Sequence, residues 1–277
     1  MQGGHLLQVP DKVRAALDAA EHAGLLAPGR PEAIGALLLA GICQTFADRA
    51  AGRGLIRRAC EIATAHGLGA VATAARGYEG NLWLAEGNYD EAVSILGPVV
   101  DAIALDAPRF FEVYFGTELA IAHHLAGRDA EALRAAITFE ALAASVGEPM
   151  IMMLSRAVLT LSRAADAGPD AVLPELLDLF VRAHRDRLPV IAHYVLTVVA
   201  AALALRGDDE VASTVLAAAG AHHELPFRTP GHYAIFRHYG RLLRRRLGDD
   251  LARRCRDEGR RLSLDAAAEV VHDVVRA

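Results

Sequence analysis

Apolar residues along the chain recur at steps of three and four, the spacing of one helical face, and short polar turns centred on glycine break the runs that carry them. Residues 11–25 begin with Asp11 as a helix N-cap and set Val13, Ala16, Leu17 and Ala20 on one face, and Gly29 and Pro31 close this first helix. A second helix is predicted from Pro31 to about Ala50 around the apolar segment from Ile34 to Cys43. Further on the pattern becomes periodic. Gly87-Asn88-Tyr89-Asp90-Glu91-Ala92 returns 40 residues later as Gly127-Arg128-Asp129-Ala130-Glu131-Ala132 and a further 80 on as Gly207-Asp208-Asp209-Glu210-Val211-Ala212, with Gly168-Pro169-Asp170 about midway between those two. In each, glycine ends one apolar helix, and the alanine five residues on lies in the first turn of the next, where a small side chain lets two helices approach closely. Second helices are predicted from Tyr89 to Ala104, Ala130 to Val146, Ala171 to His184 and Asp209 to His222, and Pro108, Pro149, Pro189 and Pro226 punctuate the ends. Gly54 precedes Ala59 by the same five residues and marks residues 31–66 as a first, divergent repeat. Strand-period alternation is scarce, aromatics are 5 %, and alanine and leucine dominate, so the class is all-α.

Ala59 lies 33 residues before Ala92, and this interval resembles that of the tetratricopeptide repeat, with the later intervals of about 40 similar to its longer-helix relatives. That pattern has a small residue seven before the turn glycine and a large one four before it. Gly80 and Trp83, Ala120 and His123, and Ala200 and Leu203 fit; the Gly168 repeat departs, with Leu161, Ala164 and, in the alanine place, Leu173. Its packing is expected to be looser or differently angled. The resemblance implies a right-handed α-α superhelix, a TPR-like solenoid of about five helix pairs. In its register the places 13, 10, 6 and 3 before each turn glycine face a concave groove. The polar members of that set are Asn81, Tyr114, Thr117, His124, Ser155, Ser162, Tyr194 and Thr197, and they are the candidate ligand-binding residues. The set is uncharged, which suits a mostly apolar ligand held by a few hydrogen bonds; tight packing of a wound superhelix explains the same residues without a ligand. Replacing Tyr114 or Tyr194 by alanine is expected to weaken binding without unfolding the chain.

The net charge of −5 disfavours a surface that meets nucleic acid or anionic lipid throughout, but it is unevenly spread. Residues 237–261 hold ten arginines against four acids, which leaves −11 on the rest. Cys43, Cys60 and Cys255 are odd in number and share no ligand spacing, so neither a disulfide framework nor a zinc site is suggested. The N-terminus has no signal-peptide pattern, and a cytoplasmic protein is expected. Leu188 to Leu205 reaches the length of a membrane span without a formal charge. It contains Pro189, His193, Tyr194 and Thr197 and stands where a buried first helix belongs, so no membrane contact is expected.

The C-terminal part changes character. His232 to Leu247 is an arginine-rich helix ended by Gly248, Asp249 to Gly259 is another, and Ser263 caps a last one. Tyr239, Leu242, Leu243, Arg245 and Leu247-Gly248-Asp249, followed by Gly259-Arg260-Arg261-Leu262-Ser263-Leu264-Asp265-Ala266-Ala267, resemble the end of the helical-repeat region in actinobacterial LuxR-type, MalT-like ATPase regulators and their relatives. Asp209 to Gly220 is similar to the repeat before that ending, and residues 11–26 faintly resemble the close of the winged-helix segment that precedes the repeats. The resemblance implies an N-terminal helix over 1–30, repeats over 31–225 and capping helices over 226–277. It departs from the family in lacking GxxxxGK[ST], and no DNA-reading helix-turn-helix follows the ending. The chain reads either as a piece of a larger regulator or as a short stand-alone relative.

Candidate chemistry is sparse. His123 and His124 are helix neighbours about 100° apart and cannot share an ion; His222-His223-Glu224 lacks the spacing of a zinc protease and precedes Pro226. The arginines read as a solvated cap paired with Asp249, Asp250, Asp257 and Glu258, or else as a phosphate patch. Met150, Met152 and Met153 read as core or as an adaptable pocket lining. No nucleophile elbow, Cys–His pair, carboxylate pair or phosphate loop has a usable spacing, and neither cofactor nor metal is implied. The expected function is a non-enzymatic sensor or binding module of a transcriptional regulator, taking a small-molecule effector or a protein or peptide in its groove. A stand-alone interaction scaffold, and a cryptic enzyme or sequestering protein for an apolar natural product, are the alternatives. Nothing in the sequence decides between monomer and homodimer.

Overall fold

The computed structural model describes residues 15, 18–19, 33–44, 48–106, 109–221 and 229–276, and these are helical throughout apart from turns, with no strand among them. The first helix expected over 11–25, Cys43's side chain and the His222-His223-Glu224 segment lie largely or wholly outside the described residues. The chain divides into two compact units, Met1–Phe115 and Gly116–Ala277. The division falls inside one helix, α5.

The first unit contains α1 (Ala33–Gln44), α2 (Arg49–Ala65), α3 (Gly69–Glu86), α4 (Tyr89–Asp106) and the start of α5 (Arg109–Leu125), each packed on the next through α4. Ala33, Ile34 and Leu37 of α1 bury themselves against Ala59, Ile62 and Ala63 of α2. Here the expected boundaries fail. The second helix does not run on to Ala50, because Asp48 starts a new one by accepting the Ala51 N–H at 3.1 Å. Gly54 lies inside α2 and marks no turn; Ala59 is buried as expected, so the packing place was right and the glycine match accidental. Between α2 and α3, Arg53 pairs with Glu86 at 2.5 Å and lies 4.5 Å over the Trp83 ring.

The second unit continues with α6 (Asp129–Val146), α7 (Pro149–Ser162), the single turn α8 (Ala164–Ala167), α9 (Pro169–Arg185), α10 (Pro189–Arg206), α11 (Asp209–Ala221), α12 (Pro230–Leu247), α13 (Asp249–Gly259) and α14 (Leu264–Arg276). α10 is its centre, packed on α7, α9, α11, α12 and α14 and buried over most of its length. It is the one described helix long and apolar enough to cross a membrane, and 78 % of its apolar window is buried inside the protein. α5 and α6 touch closely at Gly116, where a Cβ would lie 2.3 Å from the Phe139 ring.

The expected turns are present and differ in one instructive way. Gly87, Gly127 and Gly207 have φ of 90°, 74° and 98°, a left-handed conformation that only glycine enters without cost. The residue after each returns its N–H to a carbonyl five residues back: Asn88 to Trp83, Arg128 to His123, Asp208 to Leu203, at 2.9–3.1 Å. Gly168 is followed by Pro169, which has no N–H to return. Its ψ swings to 150°, against 13° at Gly87 and 7° at Gly207, and the chain enters α9 in another direction. Ala92, Ala132 and Ala212 are buried in the first turns that follow, as is Leu173 in the departing repeat.

Candidate functional site

The residues expected to line one groove can be placed one by one, beginning with the first unit. Asn81 is wholly buried on α3 and donates from Nδ2 to the Tyr114 hydroxyl at 3.2 Å, while its Oδ1 accepts nothing. Tyr114 belongs to an aromatic group with Tyr78, Phe110 and Phe115, of which Phe110 is exposed.

In the second unit the polar candidates meet one another and one further helix. Thr117 of α5 and Ser155 of α7 share a hydrogen bond of 3.0 Å between buried hydroxyls, so the small polar places of those two helices do face each other. Ser162 is buried on α7 with an unpartnered hydroxyl. His124 bonds the Tyr239 hydroxyl at 2.8 Å, Thr197 bonds His232 Nε2 at 2.8 Å, and the Tyr194 ring meets the His232 ring edge-on at 5.3 Å. Tyr239 and His232 both belong to α12. The arginine-rich helix therefore lies over the inward places of α5 and α10 and covers His124, Tyr194 and Thr197. Tyr194 is 2 % exposed, so Tyr194→Ala is expected to leave a cavity and to cost folding stability as well as any binding.

The residue the sequence reading missed is Glu118. It is 2 % exposed beside the start of α12, where Thr229 caps the helix by accepting the His232 N–H at 3.1 Å. The Gly231 backbone N–H and the Thr229 hydroxyl bond the Glu118 carboxyl, yet its Oε2 has no partner, and neither has the Tyr194 hydroxyl. A Cβ on Gly231 would stand 2.5 Å from that Oε2, so the glycine lets the backbone close over the acid. Burial raises the carboxyl to about 8 against these two hydrogen bonds, and Glu118 is mostly neutral at neutral pH. Burial likewise lowers His124 to about 4, against Asp129, which favours the charged form. A cue was present in the sequence: nine residues before the other turn glycines stand Tyr78, Leu159 and Val198, and only here does that place hold an acid.

A second feature lies away from α12. α6, α7 and α9 form a cleft of about 780 Å³ lined by Ala144, Pro149, Met152, Met153, Leu179 and Val181 with a charged set, Glu140, Arg156, Glu175, Asp178 and Arg182. Arg156 joins Glu140 at 3.0 Å and Glu175 at 2.6 Å, and Glu175 also holds Arg163 at 2.9 Å. Met150 and Met152 are exposed and Met153 is partly so, which puts the methionine cluster on this surface rather than in the core.

The arginines of α12, of α13 and of the C-cap that follows it are in part paired as expected, Arg244 with Asp249, Arg253 with Asp250 and Arg260 with Asp257, and Arg246 reaches Asp209 and the Ala204 carbonyl. Cys60 and Cys255 are free thiols that burial pushes above the ordinary value. Among the described residues no three histidine, cysteine or acidic side chains are grouped as metal ligands would be. No protein-family model matches the chain, and no curated protein matches it.

Proposed function

We propose that the chain is a non-enzymatic helical-repeat binding module, a right-handed TPR-like solenoid of the kind that serves as the sensor region of LuxR-type, MalT-like regulators. The observation that carries this reading is the seating of α12: polar side chains at the groove places of α5 and α10, His124 and Thr197, share hydrogen bonds with Tyr239 and His232 of a helix laid across them. A surface that holds a helix in this way is suited to protein or peptide ligands, which bind helix-in-groove through apolar anchors and a few polar contacts. In this reading α12 is the resident occupant of the groove places in Gly116–Ala277, and a partner helix gains access by displacing it.

Native mass spectrometry of the purified chain, with thermal shift against actinobacterial metabolites and amphipathic helical peptides, tests the proposal. Peptide binding that tightens in Tyr239→Phe, where α12 has lost one anchor, is the expected result. A co-purified small molecule with no peptide binding would replace it by a small-molecule sensor. One observation favours an enzyme instead: Glu118, raised to about 8, has a free oxygen in the neighbourhood of the unpartnered Tyr194 hydroxyl. General acid–base chemistry there requires α12 to leave first, because the Gly231 backbone closes on the carboxyl.

A further inference from the structure

The cleft of α6, α7 and α9 differs from the covered face in what it leaves unsatisfied. Of the large apolar side chains exposed in the described chain, Ile137 (53 %), Met150, Met152 (39 %) and Val181 (51 %) belong to these three helices. Ile137 stands one turn before Glu140 on α6, and Met152 and Val181 line the cleft itself. Water-facing apolar groups gathered in one place mark an association surface. The charges on α9 say what kind. Within the cleft, Glu140 and Glu175 are already engaged by Arg156 and Arg163. Asp178 and Arg182 are exposed cleft-lining residues, and neither makes an ion pair among the described residues. They are four apart, one helical turn, with Val181 between them.

An acid and a base one turn apart, flanking an exposed apolar residue, match their own copy. When two such helices run antiparallel about a two-fold axis near residue 180, position 178 of each opposes position 182 of the other. Both charges are then satisfied at once, and Val181 of each copy reaches the other's methionine surface. A foreign partner would have to supply this reversed pattern, whereas a second copy has it by construction of the symmetry. We propose that the α6–α7–α9 cleft is a homodimer interface in which two α9 helices pack antiparallel, Asp178 of each copy pairing with Arg182 of the other over a contact made by Val181, Met152 and Met153. Methionine suits this place because its flexible, polarizable side chain adapts to an incoming apolar group.

The test is a charge-swap cycle followed by sedimentation velocity over a concentration series on the full chain. The wild type is expected to dimerise. Asp178→Arg sets four arginines against one another and Arg182→Asp sets four acids, so each single variant is expected to weaken the dimer roughly tenfold or more. The double variant, Asp178→Arg with Arg182→Asp, is again self-complementary and is expected to return to the wild-type constant. The two single variants mixed together are expected to form a heterodimer that neither forms alone. Both residues are exposed, so circular dichroism, and the melting temperature of the chain kept dilute enough to be monomeric, should remain as in the wild type. A wild type that stays monomeric at every concentration overturns the proposal, as does a dimer indifferent to the single swaps. A double variant that stays monomeric overturns it too, since the face would then be reading some other pattern. Val181→Ser, which keeps the charges, is expected to weaken the dimer as well.

Discussion

The second unit has two faces on which small-residue helices could receive something, and they have been treated in opposite ways. On one, α12 lies across α5 and α10, and each inward polar group it reaches is a neutral group held by another: histidine by tyrosine, threonine by histidine, a protonated acid by a helix N-terminus. On the other, the methionine floor is open and the α9 charges at its edge are unmet. Covering a face exchanges water for protein hydrogen bonds of modest net worth, about 1 kcal/mol each, but makes each of them costly to break. Leaving a face open costs nothing locally and stores its binding energy for a partner. The two faces should therefore answer mutation in opposite ways, the covered one through stability and the open one through association.

The largest effect is expected at Tyr194. Its ring is enclosed against His232, and Tyr194→Ala should cost about 3–5 kcal/mol of folding stability, read from denaturant midpoints. Tyr194→Phe removes only a hydroxyl that has no partner and should be close to neutral or stabilising. If the alanine variant were as stable as the wild type, α12 would not be sealing this face.

Next in size is pH. Glu118 keeps its proton to about 8 when folded against an ordinary 4.5, so its contribution is full below 4.5 and is lost as pH rises through 8, at about 1.4 kcal/mol per pH unit. His124, about 4 when folded against 6.5, works the other way: its contribution is full above 6.5 and is lost as pH falls through 4. Between 4.5 and 6.5 the two slopes oppose and nearly cancel, and from 6.5 to 8 only Glu118 acts. His123 and His238, also held low by burial and by neighbouring arginines, add to the His124 slope below 6.5 and tilt that window toward lower stability on acidification. Stability should fall by roughly 2 kcal/mol from pH 6.5 to 8. Glu118→Gln, which keeps the hydrogen-bonding shape without the proton, should flatten that limb. A limb of unchanged slope in the glutamine variant would show that another group titrates there.

Much of this architecture was legible because its turns need particular chemistry. A left-handed glycine before a helix whose first turn carries alanine leaves a spacing that can be counted, and Gly87, Gly127 and Gly207 fold as that spacing implies. The Gly168 repeat was visibly different for a reason also in the sequence, Pro169 without an N–H. Gly54 misled because spacing was all that supported it; the true boundary lay with a capping residue, Asp48. The inward places of α5, α7 and α10 could be listed from register, and the Thr117–Ser155 bond joins two of them. What covers them could not. The contact between His124 and Tyr239 spans 115 residues, and helical periodicity carries no information about which distant helix closes on a face. Glu118 was readable only as an oddity, an acid where its counterparts are tyrosine, leucine and valine.

Smaller effects sharpen the same contrast. Tyr239→Phe deletes one anchor of α12 and should cost about 1 kcal/mol, with the His124 ring left to find another partner in a buried place. The smallest change in folding stability is expected on the open face. Val181→Ser alters a side chain that is half in water, so it should shift stability by no more than about 0.5 kcal/mol when the chain is kept dilute enough to be monomeric. If it instead lowers the melting point at all concentrations, Val181 is packed against its own chain and the cleft is narrower than drawn. If the loss appears only as the protein is concentrated, the missing stability belongs to a second molecule, since any species that binds only the folded form raises stability with its own concentration. The difference between Tyr194→Phe and the wild type should not change with concentration, because what covers that ring is already part of the chain.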